Sequence, residues 1–395
     1  MSVRSYLVNL KQALKQNALK SPYRIVTGNQ SADMDSVVSA ITFAYLTHTF
    51  KTPNQFIIPL IDIPKADFAL RRDISKLLQL HGITEDLLYF VEDFDGFLKE
   101  STSVDLSLVD HNGLQGVEIN RAFDAGFVNV DAIIDHHADE GMFEKADPRI
   151  IRTCGSNSTL VFHYFHELTS GDDKFWETNK DVVELLIAPL LIDTTNMTQK
   201  VEDHDVKALE FYKKILTTDT VNFTTQSSYD DFYKTLKKAK KDISGFSFAD
   251  ILRKDYKQFH FLHGDRVGFS SISKPLLWIA SKFSADEIKE DLAKTLKANQ
   301  IELLVMTASF TQKETGIYTR EFSYYYEGEN EKYANLFQLV WRDLELSTDM
   351  YKSEIISTLV NAVNNRESHL KIYNQKKVTA TRKQVVPIVK EALEK

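Results

Sequence analysis

Short apolar runs alternate with amphipathic stretches along the first half of the chain. The amphipathic stretches carry apolar residues at helical spacing, one starting near Asp35 and another covering Leu70–Leu80. The apolar runs predict buried strands, at Arg24–Gly28, Gln55–Ile63, Leu106–Val109, Val130–Ile134 and Arg149–Thr153. Alternation of this kind is typical of a mainly parallel sheet flanked by helices, because parallel strands need long crossover connections. The pattern therefore predicts an α/β fold for this half.

A polar stretch rich in Thr, Asp, Ser and Lys, residues 217–244, interrupts the pattern. It predicts a connecting segment between a first domain, residues 1–216, and a second, residues 245–395. In the second half, strands are predicted at Leu303–Ser309 and Gly316–Tyr326, and the last segments are predicted to be helices. This half is expected to form a smaller α/β domain. A length of 395 residues also favours two domains over one.

Acidic residues and imidazoles follow several of the apolar runs. The set consists of Asp33 and Asp35 after the first run, then Asp110, Asp135-His136-His137, and Asp193. In an open parallel sheet the carboxyl ends of strands meet at one edge, where ligands bind. Carboxylates that converge there would repel each other strongly unless divalent cations held them together. A metal cluster is therefore the first hypothesis.

The types of ligand narrow the choice of metal. Carboxylate oxygens and imidazole nitrogens suit Mg²⁺, Mn²⁺ or Co²⁺, and Cys154 is the one cysteine in the sequence. Asp33 and Asp35, at alternate positions, can address two neighbouring ions. A bridging carboxylate such as Asp110 or Asp193 would place two cations about 3.5–4 Å apart. Such a pair acidifies a shared water and clamps a phosphoryl oxygen, which predicts hydrolysis of a phosphate ester or anhydride.

Each residue of the set also has a purely structural interpretation. Either aspartate of Asp33-Met34-Asp35 could cap a helix, Asp110 could form an Asx turn, and His136 or His137 could be satisfied core histidines. Similarly, Ser156 could help to bind an anion at a helix N-terminus or simply cap that helix. Taken together, however, the aspartates and the tandem imidazoles favour a metal site over coincidence.

Composition and charge limit the classes of partner. The net charge of −8 disfavours non-specific nucleic-acid binding, while local basic clusters still allow a polyanionic substrate. The longest apolar runs, such as Leu185–Ile192, are too short to span a bilayer. Residues Met1–Tyr6 lack the order of a signal peptide, and one cysteine fits a reducing compartment. We expect a soluble cytoplasmic monomer without nucleic-acid or membrane partners.

Four segments resemble the ordered motifs of the DHH phosphoesterase superfamily: Gly28–Ser36, Val109–Asn112, Ile134–His137 and Leu191–Thr194. The resemblance covers nearly the whole chain. Its C-terminal part is similar to the companion domain of family II pyrophosphatases, prune-type proteins and yeast-type cytosolic exopolyphosphatases. The last group is the most similar, through Asp62–Pro64, Leu70–Asp73, Asp255–Phe259 and Thr381–Pro387. This implies a DHH metal-binding domain, a substrate-binding domain and an active site in the cleft between them.

The resemblance also implies a ligand set for two divalent cations, Mg²⁺, Mn²⁺ or Co²⁺. Asn29 and Asp33 are implied near one cation, and Asp35 and His136 at the other. Asp110 and Asp193 are implied to complete the cluster, with Asp110 bridging and both serving catalysis.

Substrate contacts follow from the same resemblance. His137 is implied to meet the substrate phosphate as a hydrogen-bond or proton donor, while Asp135 orients the neighbouring imidazole. Lys257, Arg382 and Lys383 are implied to bind phosphate, because Arg grips it through two nitrogens and Lys supplies a compact charge. Two further basic residues are expected to line a channel towards the cluster, Arg71 and Arg72.

The function implied is that of an exopolyphosphatase, which hydrolyses terminal phosphate from inorganic polyphosphate with a metal-activated water. Asn29 favours this over a pyrophosphatase, since pyrophosphatases of the superfamily carry His at that position. The alternatives are an inorganic pyrophosphatase and a short-chain or nucleoside polyphosphate phosphohydrolase. A nuclease of the superfamily would carry a Gly-rich motif, and this chain has no Gly-Gly pair. A prune-like scaffold protein would be expected to lack a ligand.

Overall fold

The structure is a computed structural model that describes residues 1–169, 172–216, 228–262, 264–312, 314–348 and 353–395. The chain divides into two compact units, Met1–Asp242 and Ile243–Lys395. Residues 217–227 of the predicted connecting segment lie outside the described residues. The helix that follows them belongs to the first unit. The domain limits drawn from the sequence remain a prediction.

A six-stranded sheet with the strand order β3-β2-β1-β4-β5-β6 forms the centre of the first unit. Each neighbouring pair in it is parallel, which confirms the predicted sheet. Its strands are apolar because both faces are covered. The strands are β1 (Tyr23–Thr27), β2 (Ile57–Ile61), β3 (Tyr89–Phe90), β4 (Val104–Val109), β5 (Val128–Asp135) and β6 (Arg149–Ile151).

Helices pack on both faces of this sheet, as predicted. They are α1 (Val3–Lys15), α2 (Met34–Phe50), α3 (Lys65–Phe68), α4 (Arg72–Leu80), α5 (Phe94–Ser101), α6 (Val117–Asp124), α7 (Asn157–Leu168), α8 (Lys174–Thr178), α9 (Lys180–Asp193), α10 (Asp203–Ile215) and α11 (Ser228–Lys241). Helices α2 and α9 are buried on nearly all sides, α2 by other helices and the sheet and α9 by other helices. The first turn of α2 carries Asp35, and α9 ends at Asp193.

The second unit contains another six-stranded sheet, in the order β11-β12-β10-β9-β8-β7. Strands β8 and β9 pair in parallel and the other described neighbours are antiparallel. The strands are β7 (Tyr256–His260), β8 (Arg266–Ile272), β9 (Leu303–Thr311), β10 (Tyr318–Glu327), β11 (Leu346–Ser347) and β12 (Ser368–Gln375). The helices are α12 (Phe248–Lys254), α13 (Leu276–Lys282), α14 (Ala285–Asn299), α15 (Glu331–Ala334), α16 (Leu336–Leu344), α17 (Glu354–Val363) and α18 (Arg382–Glu394). The predicted α/β character of this unit is confirmed.

The prediction that the last segments are all helical is wrong, because β12 lies among them. This strand pairs with β10 along its whole length. Its alternating burial includes polar residues on the inner face, such as Ser368 and Asn374, so the hydrophobic period is weak in the sequence. Within the described ranges, none of the helices combines the length and the apolar character that a bilayer span needs.

Candidate active site

The sheet order of the first unit brings the predicted polar residues to one edge. Strands β1, β4 and β5 are direct neighbours. Asp110 follows β4, Asp135 ends β5, and Asp35 lies in the first turn of α2, the helix that follows β1. Because the three strands are parallel, their carboxyl ends point the same way and these side chains converge.

Asp110 is the centre of this group. Its buried carboxylate accepts hydrogen bonds at Oδ2 from Asn29 Nδ2 (2.7 Å) and Ser36 Oγ (2.5 Å). Its Oδ1 lies 3.2 Å from His136 Nε2. Burial raises the Asp110 pKa, but the hydrogen bond and charge of His136 outweigh it and lower the pKa to about 2. The residue has a φ of +62°, a left-handed conformation that aims the carboxylate into the cluster at the cost of backbone strain.

The first imidazole of the tandem pair faces the carboxylates. His136 Nδ1 lies 2.9 Å from the carbonyl oxygen of Cys154. A carbonyl only accepts, so Nδ1 must carry a proton and donate it. The other nitrogen, Nε2, is thereby directed at Asp110 and, at 4.0 Å, at Asp35 Oδ2. Imidazoles that bind metals are usually oriented in this way by a partner on the far nitrogen.

The second imidazole has a different environment. His137 Nδ1 donates to Asp135 Oδ1 at 2.7 Å, and its ring stands edge-on to that of His136. Asp135 is fully buried and also accepts from Asn112 Nδ2 at 2.5 Å. Burial raises the Asp135 pKa, but the hydrogen bond and charge of His137, together with the hydrogen bond from Asn112, outweigh it and leave the pKa lowered. Asp135 therefore holds the His137 ring through a charged hydrogen bond, and the supporting role expected of it remains a prediction.

Asp35 is held by the N-terminus of α7. Its carboxylate accepts from Ser156 Oγ (2.8 Å) and from the backbone N–H groups of Asn157 (2.6 Å) and Ser158 (2.9 Å). Ser156 occupies the N-cap position, but its hydroxyl donates to Asp35 and makes no capping bond. The anion at this helix end is thus a side chain of the same protein. Of the two aspartates that could cap α2, Asp33 does so, and it accepts from the N–H of residue 36 at 3.1 Å.

Asp193 is the last residue of α9 and completes the set of acidic groups. Desolvation raises its pKa well above the ordinary value, and the charge of Asp35 raises it further. The same causes, desolvation first and then the charge of Asp110, raise the pKa of Asp35 to about 7. Asp35, Asp110 and Asp193 therefore repel one another when they are ionised.

Asn29 supports Asp110 in this structure. Its Nδ2 donates to the Asp110 carboxylate, while its Oδ1 accepts from the backbone N–H of Ser31 at 2.9 Å. A cation would have to be bound through Oδ1. The implied role of Asn29 as a metal ligand therefore remains a prediction.

The two arginines expected to line a channel contact other residues of the first unit. Arg71 is 4% exposed, and its Nε and Nη2 donate to the carbonyl oxygen of Ser31 at 3.2 and 2.9 Å. This contact braces the loop between β1 and α2. Arg72 Nη1 forms an ion pair with Asp242 Oδ2 at 2.7 Å. Their phosphate-binding roles remain predictions.

The other basic residues implied by the resemblance belong to the second unit. Arg382 is the first residue of α18, and its guanidinium donates to the Asp255 carbonyl (2.9 Å) and pairs with the Asp255 carboxylate (2.7 Å). Lys383 is exposed beside it, and Lys257 lies on β7. Asp255, which sequence reasoning did not assign a role, thus fixes the orientation of Arg382.

The donor set of the first unit fits divalent cations. One ligand atom from each of Asp110, His136 and His137 lies within 4.8 Å of the others. Around them stand Asp35 and Asp193, whose raised pKa values reflect burial and repulsion. Repulsion between carboxylates favours their protonated forms. A divalent cation bound between them relieves the repulsion and replaces those protons. Oxygen and imidazole donors suit Mg²⁺, Mn²⁺ or Co²⁺.

Close packing at Gly28 maintains the site. A Cβ at this position would lie 2.5 Å from Ser36 Cβ and 2.8 Å from the Ser36 carbonyl oxygen. Gly28→Ala is therefore expected to displace the β1–α2 loop from the first turn of α2. It should lower the free energy of unfolding by about 1–3 kcal/mol. Urea denaturation measures this. Gly96→Ala is the control, because nothing lies within 4 Å of a Cβ there; equal stability of the two variants would contradict the packing argument.

Two family domains match the chain: the DHH family, N-terminal domain, over residues 24–190, and the DHHA2 domain over residues 234–392. The chain is 33% identical to the Schizosaccharomyces pombe protein named "Putative exopolyphosphatase", over 94% of this chain and 91% of that protein. It is 26% identical to rat "Exopolyphosphatase PRUNE1", over 98% of this chain and 78% of that protein. It is 27% identical to a manganese-dependent inorganic pyrophosphatase of Methanothrix thermoacetophila, over 73% of this chain and 82% of that protein.

A solved structure has the same fold. The Methanococcus jannaschii "putative family II inorganic pyrophosphatase" superposes with a TM-score of 0.58 at 21% identity, covering 94% of this chain and all of that one. The four sequence motifs, the cluster that they form and the matches to both domains agree with one another, and they support the use of divalent metal. The chain belongs to the DHH phosphoesterase family, in the group that carries a C-terminal DHHA2 domain.

Proposed function

We propose that the protein is an exopolyphosphatase that removes terminal phosphate from inorganic polyphosphate with the help of two divalent cations, Mg²⁺, Mn²⁺ or Co²⁺. The observation that carries the proposal is the buried Asp110 carboxylate, 3.2 Å from the Nε2 atom of a carbonyl-oriented His136. Similarity to two proteins named exopolyphosphatases supports the choice of substrate.

The proposed ligands of the two cations fall into three groups. Asn29 and Asp33 would hold one cation, Asp35 and His136 would hold the other, and Asp110 and Asp193 would complete the cluster. Bound divalent cations supply positive charge that acidifies a water and polarises the phosphoryl group. Ser36 and the N-terminus of α7 hold the carboxylates in place, so little reorganisation is needed when charge develops.

His137 is proposed to act on the substrate. Its Nδ1 donates to Asp135, so a second proton on this imidazole belongs to Nε2. That atom can donate a hydrogen bond or a proton to a phosphate oxygen as the shortened chain departs. The tandem imidazoles would then have separate tasks, one holding a cation and the other protonating the leaving group.

Phosphate recognition is proposed for the basic residues of the second unit. Arg382 has its guanidinium held by Asp255, and a pre-oriented guanidinium loses less freedom on binding phosphate. Lys257 and Lys383 would add compact charge. We further propose that the protein acts as a cytoplasmic monomer, without nucleic-acid or membrane partners.

A pyrophosphatase, or a phosphohydrolase of short or nucleoside polyphosphates, is the alternative, because a relative named pyrophosphatase is 27% identical. Phosphate release from pyrophosphate, tripolyphosphate and long-chain polyphosphate, each with Mg²⁺, Mn²⁺ and Co²⁺, separates these activities. We expect tripolyphosphate and long chains to be hydrolysed faster than pyrophosphate, and no turnover after treatment with a chelator. Pyrophosphate as the best substrate would reject the exopolyphosphatase proposal in favour of the alternative.

A further inference from the structure

A fully buried carboxylate contacts the segment of chain that supports two of the proposed metal ligands. Asp205, near the start of α10, is 0% exposed. Its Oδ2 accepts from the backbone N–H of Gly155 at 2.7 Å, and its Oδ1 accepts from Thr159 Oγ1 at 2.9 Å. The thiol of Cys154 also donates to Oδ1, with an S–O distance of 3.1 Å. One buried side chain thus holds a single short segment at three points.

That segment, Cys154–Thr159, supports two of the proposed metal ligands. The Cys154 carbonyl accepts from His136 Nδ1 and so sets the orientation of that imidazole. Three donors of the same segment hold the Asp35 carboxylate: one hydroxyl and two backbone N–H groups. Any displacement of the segment would therefore move both ligands of one cation at once.

Close packing around Gly155 further restricts the position of this segment. A Cβ at this position would lie 2.6 Å from Thr194 Cγ2, 2.7 Å from the Lys200 carbonyl oxygen and 2.8 Å from Asp205 Oδ2. The backbone of the segment is therefore confined between Asp205 and the chain that follows α9.

We propose that Asp205 is a positioning residue that fixes Asp35 and His136 in the geometry needed to bind one divalent cation. The inference rests on the metal-dependent site proposed above and extends it to a residue that neither the sequence motifs nor the ligand set include. Outer partners of metal ligands typically contribute about 10–100-fold to metal affinity. A loss of that size is expected when the three contacts are removed.

A purely structural role is the competing explanation. Asp205 also accepts from the backbone N–H of Glu202 at 2.9 Å and so caps α10. Asp250 is a matched control, since it makes the same capping bond to the N–H of Ser247 (3.0 Å) at the start of α12 in the second unit. Asp250→Ala removes an equivalent cap without touching the segment that holds the ligands.

Asp205→Asn tests whether metal binding depends on the hydrogen-bond geometry of this side chain and not on its negative charge. An amide oxygen can still accept from the N–H groups of Gly155 and Glu202. The amide nitrogen can donate to Thr159 Oγ1 and Cys154 Sγ, because a hydroxyl and a thiol can both accept. The asparagine variant should therefore rescue metal binding, whereas alanine cannot.

The experiment is a titration of the full-length, metal-free protein with Mn²⁺, with free Mn²⁺ read by electron paramagnetic resonance and no substrate present. Circular dichroism and thermal unfolding accompany each variant. We expect Asp205→Ala to weaken one class of Mn²⁺ site by about 10–100-fold, and Asp205→Asn and Asp250→Ala to bind as the wild type does. Mn²⁺ affinity unchanged in a folded Asp205→Ala protein, or an asparagine variant as weak as alanine, would overturn the proposal.

Thr159→Val covers the case in which Asp205→Ala does not fold. It deletes one hydroxyl of the set at nearly constant volume, and weaker Mn²⁺ binding than the wild type is expected; unchanged binding would overturn the positioning role. The readout is also independent of the substrate. If the wild type binds Mn²⁺ but releases no phosphate from polyphosphate, the proposed activity fails while the role of Asp205 stands.

Discussion

Asp110→Ala is expected to lower kcat on polyphosphate by at least about 10³-fold. The substitution removes the carboxylate that Asn29, Ser36 and His136 contact and that is proposed to bridge the two cations. The loss should appear in kcat because both the nucleophile and the charge stabilisation depend on that group. Steady-state phosphate release with saturating Mn²⁺ measures it.

Asp105→Ala is the matched control for this prediction. Asp105 lies on the same strand, β4, and accepts from Asn129 Nδ2 at 3.2 Å, away from the carboxyl edge. Its substitution should leave kcat near the wild-type value. Near-normal hydrolysis by Asp110→Ala would show that the two-metal hypothesis is wrong.

The tandem imidazoles are expected to respond differently to substitution. His136→Ala should abolish turnover together with tight Mn²⁺ binding, since its Nε2 is the atom directed at Asp110 and Asp35. His137→Ala should keep Mn²⁺ binding but lower kcat by about 10²–10⁴-fold, the range typical of a lost general acid. Metal titration and steady-state kinetics on both variants separate the two roles. Equal loss of Mn²⁺ affinity in the two variants would reject this division.

Much of the first unit could be predicted from its sequence because parallel strands covered on both faces are apolar throughout. Strand β2 is such a run, whereas β4 and β5 also contain polar residues and are mainly apolar towards their carboxyl ends. Strand β3 has two residues, Tyr89–Phe90, and is too short to produce a pattern. The buried face of strand β12 has polar as well as apolar residues, so its pairing with β10 decides its conformation more than its own composition does.

The candidate ligands could be proposed from the sequence, because each follows an apolar run, although the run before Asp193 is a helix and not a strand. The residues that hold these ligands in place could not be found from the sequence. Ser156 is 121 residues from the Asp35 that it holds, and Gly155 is 50 residues from Asp205. Arg71 illustrates the same limit. The sequence shows a basic side chain at this position, but only the folded loop places it against the Ser31 carbonyl. Contacts between distant segments depend on the packing of whole elements.

The N-terminus of α7 has a consequence for how substrates are recognised. A helix N-terminus is one of the simplest phosphate-binding devices in proteins, since its free N–H groups and positive end attract anions. Here those N–H groups already bind the Asp35 carboxylate. A phosphate cannot use them, so contacts with a phosphate at this position would have to come from bound cations and from individual side chains. Contacts made by side chains can be altered one residue at a time, while the backbone of the site stays unchanged.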